Sequence, residues 1–351
     1  MVLTIGLTYN VKKANSNGQA CDISAEYDDE YTISSIKDSF ESRGHAVKLI
    51  EADDNMFEKI RSSGADIIFN IAEGVRGESR ESHVPAICEM LGIPYTGSGP
   101  LTLAICLDKA RTKEILNYYN IPTAKHQVFK TPEDELDKNL KYPLIVKPIH
   151  EGSSIGVGVK AVARSNRELV DRVCEINIKY NQPALVEKFL PGREFTVAVI
   201  GNTKPYALPV VEIYLSKYPK KTKGVYSYEA KTIWENDSLS GPPVNITPEF
   251  DKDLKSLAVR SHAALGCRDF SRVDIRLDEN DVAHVIEVNP LPGLNPKVEA
   301  VSYFPKAGRL AGLSYEDLIN EMLQQGIERN KLAERLSGNR IENAIQSRIS
   351  V

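Results

Sequence analysis

The sequence predicts an α/β protein of several domains, with a parallel sheet at the N-terminal end and α+β character beyond it. Three observations carry this. Apolar strands and helical segments alternate as βαβαβ up to about residue 71, the pattern of a parallel sheet with helices packed on it. From Arg272 to Gly293 apolar residues alternate with polar ones around Asn280-Asp281, the pattern of an antiparallel hairpin. The length, 351 residues, exceeds that of an ordinary single domain.

Composition narrows the functional classes. The chain is 42% hydrophobic and 26% charged, enough apolar material for a real core. Its 44 basic and 48 acidic residues leave a net charge of −4, so no global basic field argues for nucleic acid. Cysteines 21, 88, 106, 174 and 267 are scattered, as expected for reduced thiols of a cytoplasmic protein. The six histidines form no metal-binding spacing. No signal-peptide pattern opens the chain and no stretch approaches 18 apolar residues, so no membrane partner is expected.

In chain order, Val2–Leu7 reads as a buried strand, followed by a polar loop that ends on Glu26, Asp28, Asp29 and Glu30. Ile33, Ile36 and Phe40 fall at helical spacing, and Gly44 stops that helix. Ala46–Ile50 is a second strand, a short helix covers about 55–61, and Ile67–Ile71 is a third strand. Ligands on such sheets sit beyond the carboxyl ends of the strands. The segment beyond the third strand is punctuated by Gly74 and Gly77 and carries Glu73, Glu78, Arg80 and Glu81. It is either a solvated loop or a loop against a ligand.

Val84–Leu91 is a helix ended by Gly92, and residues 93–100 read as a linker, placing a domain boundary at 97/98. A helix over about 101–119 carries Asp108-Lys109, and a strand over 142–146 runs into Lys147-Pro148. Residues 150–159 form a Gly/Ser loop. Its backbone N–H groups, with the hydroxyls of Ser153 and Ser154, can turn toward an anion. The loop lacks a Walker A ending, but Lys147 just before it favours phosphate. A helix over 166–180 leads to strands at 184–190 and 194–199, with a second boundary at 186/187, where Glu187 heads a possible hinge. Residues 213–243 form a long loop with Lys217, Lys220, Lys221, Lys223, Tyr226, Tyr228, Glu229 and Lys231. Its lysines are a solvated run by default; in a lid they would lie over phosphate. Helices over 248–265 and 314–330 flank the hairpin, and a polar tail finishes the chain.

In that hairpin a two-residue loop sets Leu277 opposite His284, Asp274 opposite Glu287 and Arg272 opposite Asn289. Period two puts these last four on one face, with Val273, Ile275, Ile286 and Val288 on the core face. Two carboxylates that close repel unless a cation joins them. Asp274, Glu287 and Asn289 are oxygen ligands of the kind Mg²⁺ takes beside substrate phosphates. An ordinary exposed hairpin face is the alternative, but three ligand types and Arg272 on one face favour the metal.

Taken together, these motifs resemble an ATP-grasp ligase of the D-alanine–D-alanine ligase type. The residues that carry the resemblance are Pro94-Tyr95-Thr96-Gly97-Ser98, Asp108-Lys109, Lys147-Pro148 with Glu151–Gly156, Glu187–Leu190, Tyr228–Lys231, Arg272-Val273-Asp274 and Glu287-Val288-Asn289. They span roughly 65–325. The resemblance implies an ATP-grasp fold of three domains, 1–97, 98–186 and 187–351, the last carrying the metal site and the lid at 213–243. It implies that Lys109, Lys147, Ser153 and Ser154 meet the ATP phosphates. Glu187, Lys188 and Leu190 would belong to the adenine pocket, and Glu194 would meet the ribose. Asp274, Glu287 and Asn289 would hold two Mg²⁺, with Mn²⁺ as an alternative. Arg272 and Gly293 would stabilise a tetrahedral intermediate, Ser153 would be catalytic, and Lys231 would close over the γ-phosphate. Small-molecule amino acids or peptides are the expected partners, and a homodimer the expected assembly.

The chemistry so implied is attack of a carboxylate on the γ-phosphate of ATP, then of an amine on the acyl phosphate, with water excluded. Three departures fall on the first-substrate side. The family's opening acid motif is replaced by Thr8-Tyr9-Asn10-Val11 and an insertion, leaving Glu26 or Glu30 as candidate acids. The His-Gly after the third strand is Glu73-Gly74, and the lid's Lys-Tyr is Lys231-Thr232. Glu73, Arg80 and Lys297 are therefore the candidate substrate residues, Lys297 on the second-substrate side. The rivals are a true D-alanine–D-alanine ligase, an ATP-grasp phosphotransferase that forms no amide, and a non-catalytic nucleotide-binding module.

Overall fold

The structure is a computed structural model that describes residues 1–12, 26–152, 154–219, 222, 224–227, 236–300 and 302–337. At the N-terminal end β1 (Thr4–Tyr9), α1 (Glu30–Glu41), β2 (Ala46–Glu51), α2 (Met56–Arg61) and β3 (Ile67–Asn70) build a parallel sheet of order β2–β1–β3. β1 is the central strand and is buried over its middle four residues, the apolar run that such strands need. Asp29 caps α1 by accepting from the Thr32 amide, and Ile33, Ile36 and Phe40 are that helix's buried stripe. The Phe40 ring meets Phe69 of β3 edge-on, with centroids 5.0 Å apart.

After α3 (His83–Leu91), residues 93–100 do not form a solvated linker. Tyr95 makes a parallel bridge to Ile68, and the Thr96 amide donates to the Ile68 carbonyl. Tyr95, Thr96 and Ser98 are buried. The glycines and prolines that suggested a linker flank a short extension of the sheet.

The helix expected over 101–119 is two helices, α4 (Pro100–Leu107) and α5 (Lys109–Tyr118). Asp108 between them is extended, and its carboxylate accepts from the amides of Ala110 and Arg111. That N-cap restarts the chain and sets Lys109 at the first position of α5.

β4 (His126–Phe129), β5 (Leu144–Pro148), β6 (Val162–Ala163) and β7 (Ala184–Lys188) form an antiparallel sheet of order β4–β7–β5–β6. α6 (Asn166–Tyr180) packs Leu169, Val173 and Ile176 into its core. A boundary at 186/187 would divide β7; the sheet itself runs to Lys188.

The remaining strands are β8 (Glu194–Ile200), β9 (Tyr206–Ala207), β10 (Val211–Ile213), β11 (Ser240–Gly241), β12 (Phe270–Leu277) and β13 (Ala283–Asn289). They form a sheet of order β11–β10–β8–β12–β13, with β9 paired to β8. Every residue of β8 is buried. α7 (Pro248–Ala264) covers one face through Leu254, Leu257 and Ala258. α8 (Tyr303–Leu310) and α9 (Tyr315–Arg329) cover the other, and their core is continuous with that of the N-terminal sheet. Arg329 of α9 fastens this junction through Asp269, at 2.9 Å, and the Tyr95 carbonyl.

The β12–β13 register agrees with expectation at the outer end and departs from it near the turn. Arg272 lies opposite Asn289 and Asp274 opposite Glu287. A bulge then shifts the pairing, so Leu277 faces Ala283, not His284, which faces Arg276. The loop is longer than two residues, closed by the Asp278 amide on the Val282 carbonyl. The bulge takes up Ile286 and puts Val285 into the core in its place. Ile286 turns toward the site cavity instead.

The described parts of the expected lid fold onto the body. Lys217 stacks over the Tyr214 ring, and Asp237 and Ser240 accept from the buried ammonium of Lys306. Among the described residues no helix is long and apolar enough to cross a membrane.

Candidate functional site

A cavity of about 430 Å³, within the range of small-molecule sites, lies where the three sheets converge. One wall is the polar face of the β12–β13 hairpin, with Arg272, Asp274, Glu287 and Asn289 all lining it. Among the described residues Asp274 accepts from four donor atoms. Its Oδ1 accepts from Thr196 Oγ1 at 2.6 Å and Arg272 Nε at 3.0 Å. Its Oδ2 accepts from Arg272 Nη2 at 2.8 Å and Asn289 Nδ2 at 3.1 Å. Glu287 pairs with Lys109 Nζ at 3.0 Å. Each of the two opposed carboxylates thus faces a cation, which makes their proximity tolerable. Burial works against the charge of Arg272, but Asp274 outweighs it and holds the guanidinium above its usual value. Two carboxylates and a carboxamide on one face are a donor set that fits a hard divalent cation.

Lys109 and Lys147 enter the cavity from α5 and β5. Lys147 Nζ lies 2.6 Å from Glu187 Oε1, and Lys113 Nζ lies 2.9 Å from Glu187 Oε2. Burial would raise the Glu187 carboxyl, but the two lysines outweigh it and hold it down to about 2. Glu187 therefore serves here as the anchor of two lysines. Lys113 was not among the candidates from sequence. Its position four residues after Lys109, on the same helix face, is the signal that could have found it. Leu190 is buried, and the Lys188 ammonium turns to Glu279 at 2.5 Å. Glu187, Lys188 and Leu190 do not line the cavity. Glu194 does, and Arg276 Nη1 donates to it at 2.9 Å. Arg276 also donates to the Gly224 carbonyl at 2.5 Å, tying this wall to the interior of the expected lid segment.

In the Gly/Ser loop the Ser154 hydroxyl donates to the Tyr226 carbonyl. The Gly152 amide donates to Glu26 Oε1 at 2.9 Å, and Ser154 lines the cavity with φ +58°. Ser153 and Lys231 lie outside the described residues. Gly293 lines the cavity, and its carbonyl accepts from Ser302 Oγ at 2.5 Å.

The opposite end is built beyond the carboxyl ends of β1 and β3. The Gly74 amide donates to Asn10 Oδ1 at 2.9 Å. Gly74 has φ +83°, and a Cβ there would meet the Arg80 carbonyl oxygen at 2.0 Å, so only glycine permits this curl. The curl brings Glu73 and Glu81 to the cavity. Arg80 sits behind them, 2.7 Å from Glu26 and 3.6 Å from Glu151. Of the two acids left open by the sequence, Glu26 enters the cavity and Glu30 stays exposed on α1. Lys297 is not part of the lining: it lies 3.5 Å from Asp29 and over the Tyr31 ring. Ser302 occupies the cavity on that side.

Comparison with known proteins agrees with this architecture. Residues 115–324 match the family model described as D-ala D-ala ligase C-terminus. The D-alanine–D-alanine ligase of Desulforudis audaxviator is 35% identical over 296 residues, 83% of this chain and 91% of that one. The uncharacterized protein y4sG of Sinorhizobium fredii is 34% identical over 299 residues, 82% of this chain and 85% of that one. Among solved structures, the D-alanine–D-alanine ligase from Bacillus anthracis complexed with ATP superposes with a TM-score of 0.71. It is 21% identical and covers 94% of this chain and 99% of its own, a likeness of fold. The α/β ATP-grasp fold expected from sequence is therefore the observed one, and the chain belongs to the D-alanine–D-alanine ligase family.

Proposed function

We propose that the protein is an ATP- and Mg²⁺-dependent carboxylate–amine ligase that activates a carboxylate as an acyl phosphate and joins it to an amine, using amino acids or small peptides. The observation that carries this is the meeting of Lys109 and Lys147 with the Asp274–Glu287 pair and Arg272 in one cavity. Lys109 and Lys147 neutralise phosphate oxygens and hold the nucleotide in line with the donor carboxylate. The Gly/Ser loop, through Ser153, Ser154 and its amides, and Lys231 complete the phosphate contacts. Glu194, on the cavity wall, serves the nucleoside, whereas Glu187 anchors Lys147 and, like Lys188 and Leu190, lies off that wall. Asp274, Glu287 and Asn289 would hold Mg²⁺, which supplies charge neutralisation at the phosphates. Arg272 and the backbone at Gly293 face the carbonyl oxygen that becomes negative when the amine attacks. Glu73 and Arg80 shape the first-substrate end, and the cavity's enclosure protects the acyl phosphate from water. We place the enzyme in the cytoplasm, in keeping with the free thiols of Cys88, Cys106, Cys174 and Cys267.

The test is phosphate release from Mg-ATP over pairs of D- and L-amino acids, with mass spectrometry of products. Release that requires both co-substrates and yields an amide supports the reading. Phosphate transfer without an amide would replace it with a phosphotransferase. A true D-alanine–D-alanine ligase is the second reading, favoured by the name and 35% identity of the Desulforudis relative.

A further inference from the structure

Among the described residues, one end of the cavity carries more acids than cations. Glu26 and Glu151 share Arg80, the exposed Lys12 also lines the cavity, and Lys109, which acts on Glu81, is paired with Glu287. Asp28, Glu73 and Glu81 line the same end, and among the described residues no hydrogen bond or ion pair reaches their carboxylates. Glu81 is only 9% exposed. A buried carboxylate is costly unless paired, and a protonated one still needs an acceptor for its O–H. Neither state is satisfied among the described residues. Burial, and then the neighbouring acids, push Glu81 up to about 8, Asp28 up to about 7 and Glu73 well above the carboxylate range. These groups act on one another electrostatically, yet no three of His, Cys, Asp or Glu among the described residues converge to hold a metal ion. Carboxylates so spread suit a larger cation, whose N–H groups can be shared among them.

We infer that the Asp28–Glu73–Glu81 end of the cavity receives a second cationic group on the substrate, so that the donor is a basic amino acid of the ornithine or lysine kind. This deepens the ligase reading and rests on it for the word donor. One ammonium comes with any α-amino acid, and Glu26, already fixed by Arg80 and the Gly152 amide, stands ready for it. The three remaining acids would meet an apolar side chain with uncompensated polar groups. A terminal ammonium satisfies them and displaces their protons.

The test is calorimetric titration of the full chain, loaded with Mg²⁺ and a non-hydrolysable ATP analogue. Ornithine is compared with norvaline, and lysine with norleucine, in both chiralities; each pair differs only in the terminal ammonium. Ornithine or lysine is expected to bind at least about tenfold more tightly than its neutral partner, as a charge-assisted contact requires. The ratio should fall toward one in Glu73→Gln and Glu81→Gln. It should persist in Glu78→Gln, an exposed position of the same loop. Unchanged affinity for the ATP analogue shows that each variant is folded. Equal affinities within each pair, or no saturable binding of a basic amino acid, overturn the inference. Selective binding without amide formation from any acceptor would sink the ligase reading and leave the cationic subsite standing. Amide formation from neutral donors only would do the reverse.

Discussion

Lys113 Nζ lies 2.9 Å from Glu187 Oε2 in a part of the structure that water does not reach, with side chains 1% and 3% exposed. Lys147 takes the other carboxylate oxygen at 2.6 Å. One anion thus holds two lysines, and the surplus positive charge points to the cavity through Lys147. Lys113 also donates to Thr123 Oγ1 at 2.9 Å, and Thr123 donates to the Val285 carbonyl of β13, so the network joins two sheets.

Removing Lys113 leaves Glu187 to Lys147 alone and draws Lys147 back from the phosphate. Breaking one partner of a buried pair costs ~3–5 kcal/mol. Lys113→Met is therefore expected to lower the Tm by several degrees and to raise the KM for ATP more than it lowers kcat. Thermal melts and ATP saturation curves check this; an unchanged Tm together with an unchanged KM would reduce Lys113 to filler.

Glu287→Gln keeps the shape of the side chain and removes one anion facing Asp274. Activity at saturating Mg²⁺ is expected to fall at least ~10²-fold, as for the loss of one electrostatic contact to the transition state. The KM for the amino-acid substrates should change far less. Near-normal turnover would take Glu287 out of the metal site.

These two predictions differ in how far the sequence could lead to them. The Asp274–Glu287 pairing agrees with the sequence because the extra turn residue and the bulge at Ile286 offset one another. The bulge was not legible, since Ile286 is apolar and suits either face; Val285 wins the core by packing against the sheet interior. Lys113 reads as one more helix lysine until β7 delivers Glu187 from 74 positions away. Glu26 was left level with Glu30 because its partners, Arg80 and the Gly152 amide, are 54 and 126 residues distant. Contacts of that range leave no local pattern. Asp108 was legible as a motif residue but not as a helix break, because the apolar periodicity runs through it.

Glu81 makes stability depend on pH. Its carboxyl titrates near 4.3 in an unfolded chain and is pushed up to about 8 in the folded one by burial and then by Glu26. Between those values the folded state keeps a proton that the unfolded state has lost. Its contribution is therefore fully present below ~4.3 and is lost as pH rises through about 8, by at most ~1.4 kcal/mol per pH unit. Glu81→Gln removes this dependence. Melts of the ligand-free protein at pH 5.5 and 8 should show a smaller fall in Tm for the variant than for the wild type. Parallel slopes would mean that Glu81 ionises normally.

At the second-substrate end the structure sets Ser302, which the sequence did not single out, against Lys297, which it did. Lys297 is half-exposed, pairs with Asp29 at 3.5 Å and lies off the cavity wall. Exposed pairs of that kind contribute ~0–1 kcal/mol. Ser302 lines the cavity and donates to the Gly293 carbonyl at 2.5 Å, fixing the backbone there. Lys297→Ala is expected to leave the KM of the amine substrate within about twofold, as for a solvated charge. Ser302→Ala should raise that KM by up to about tenfold, the size of one lost neutral hydrogen bond, while the KM for ATP stays near wild type. Steady-state kinetics with the amine varied at saturating ATP decides between them. A larger effect from Lys297→Ala than from Ser302→Ala would mean that the acceptor binds at the cavity's edge, against α1, where Asp29 and Tyr31 would become its contacts.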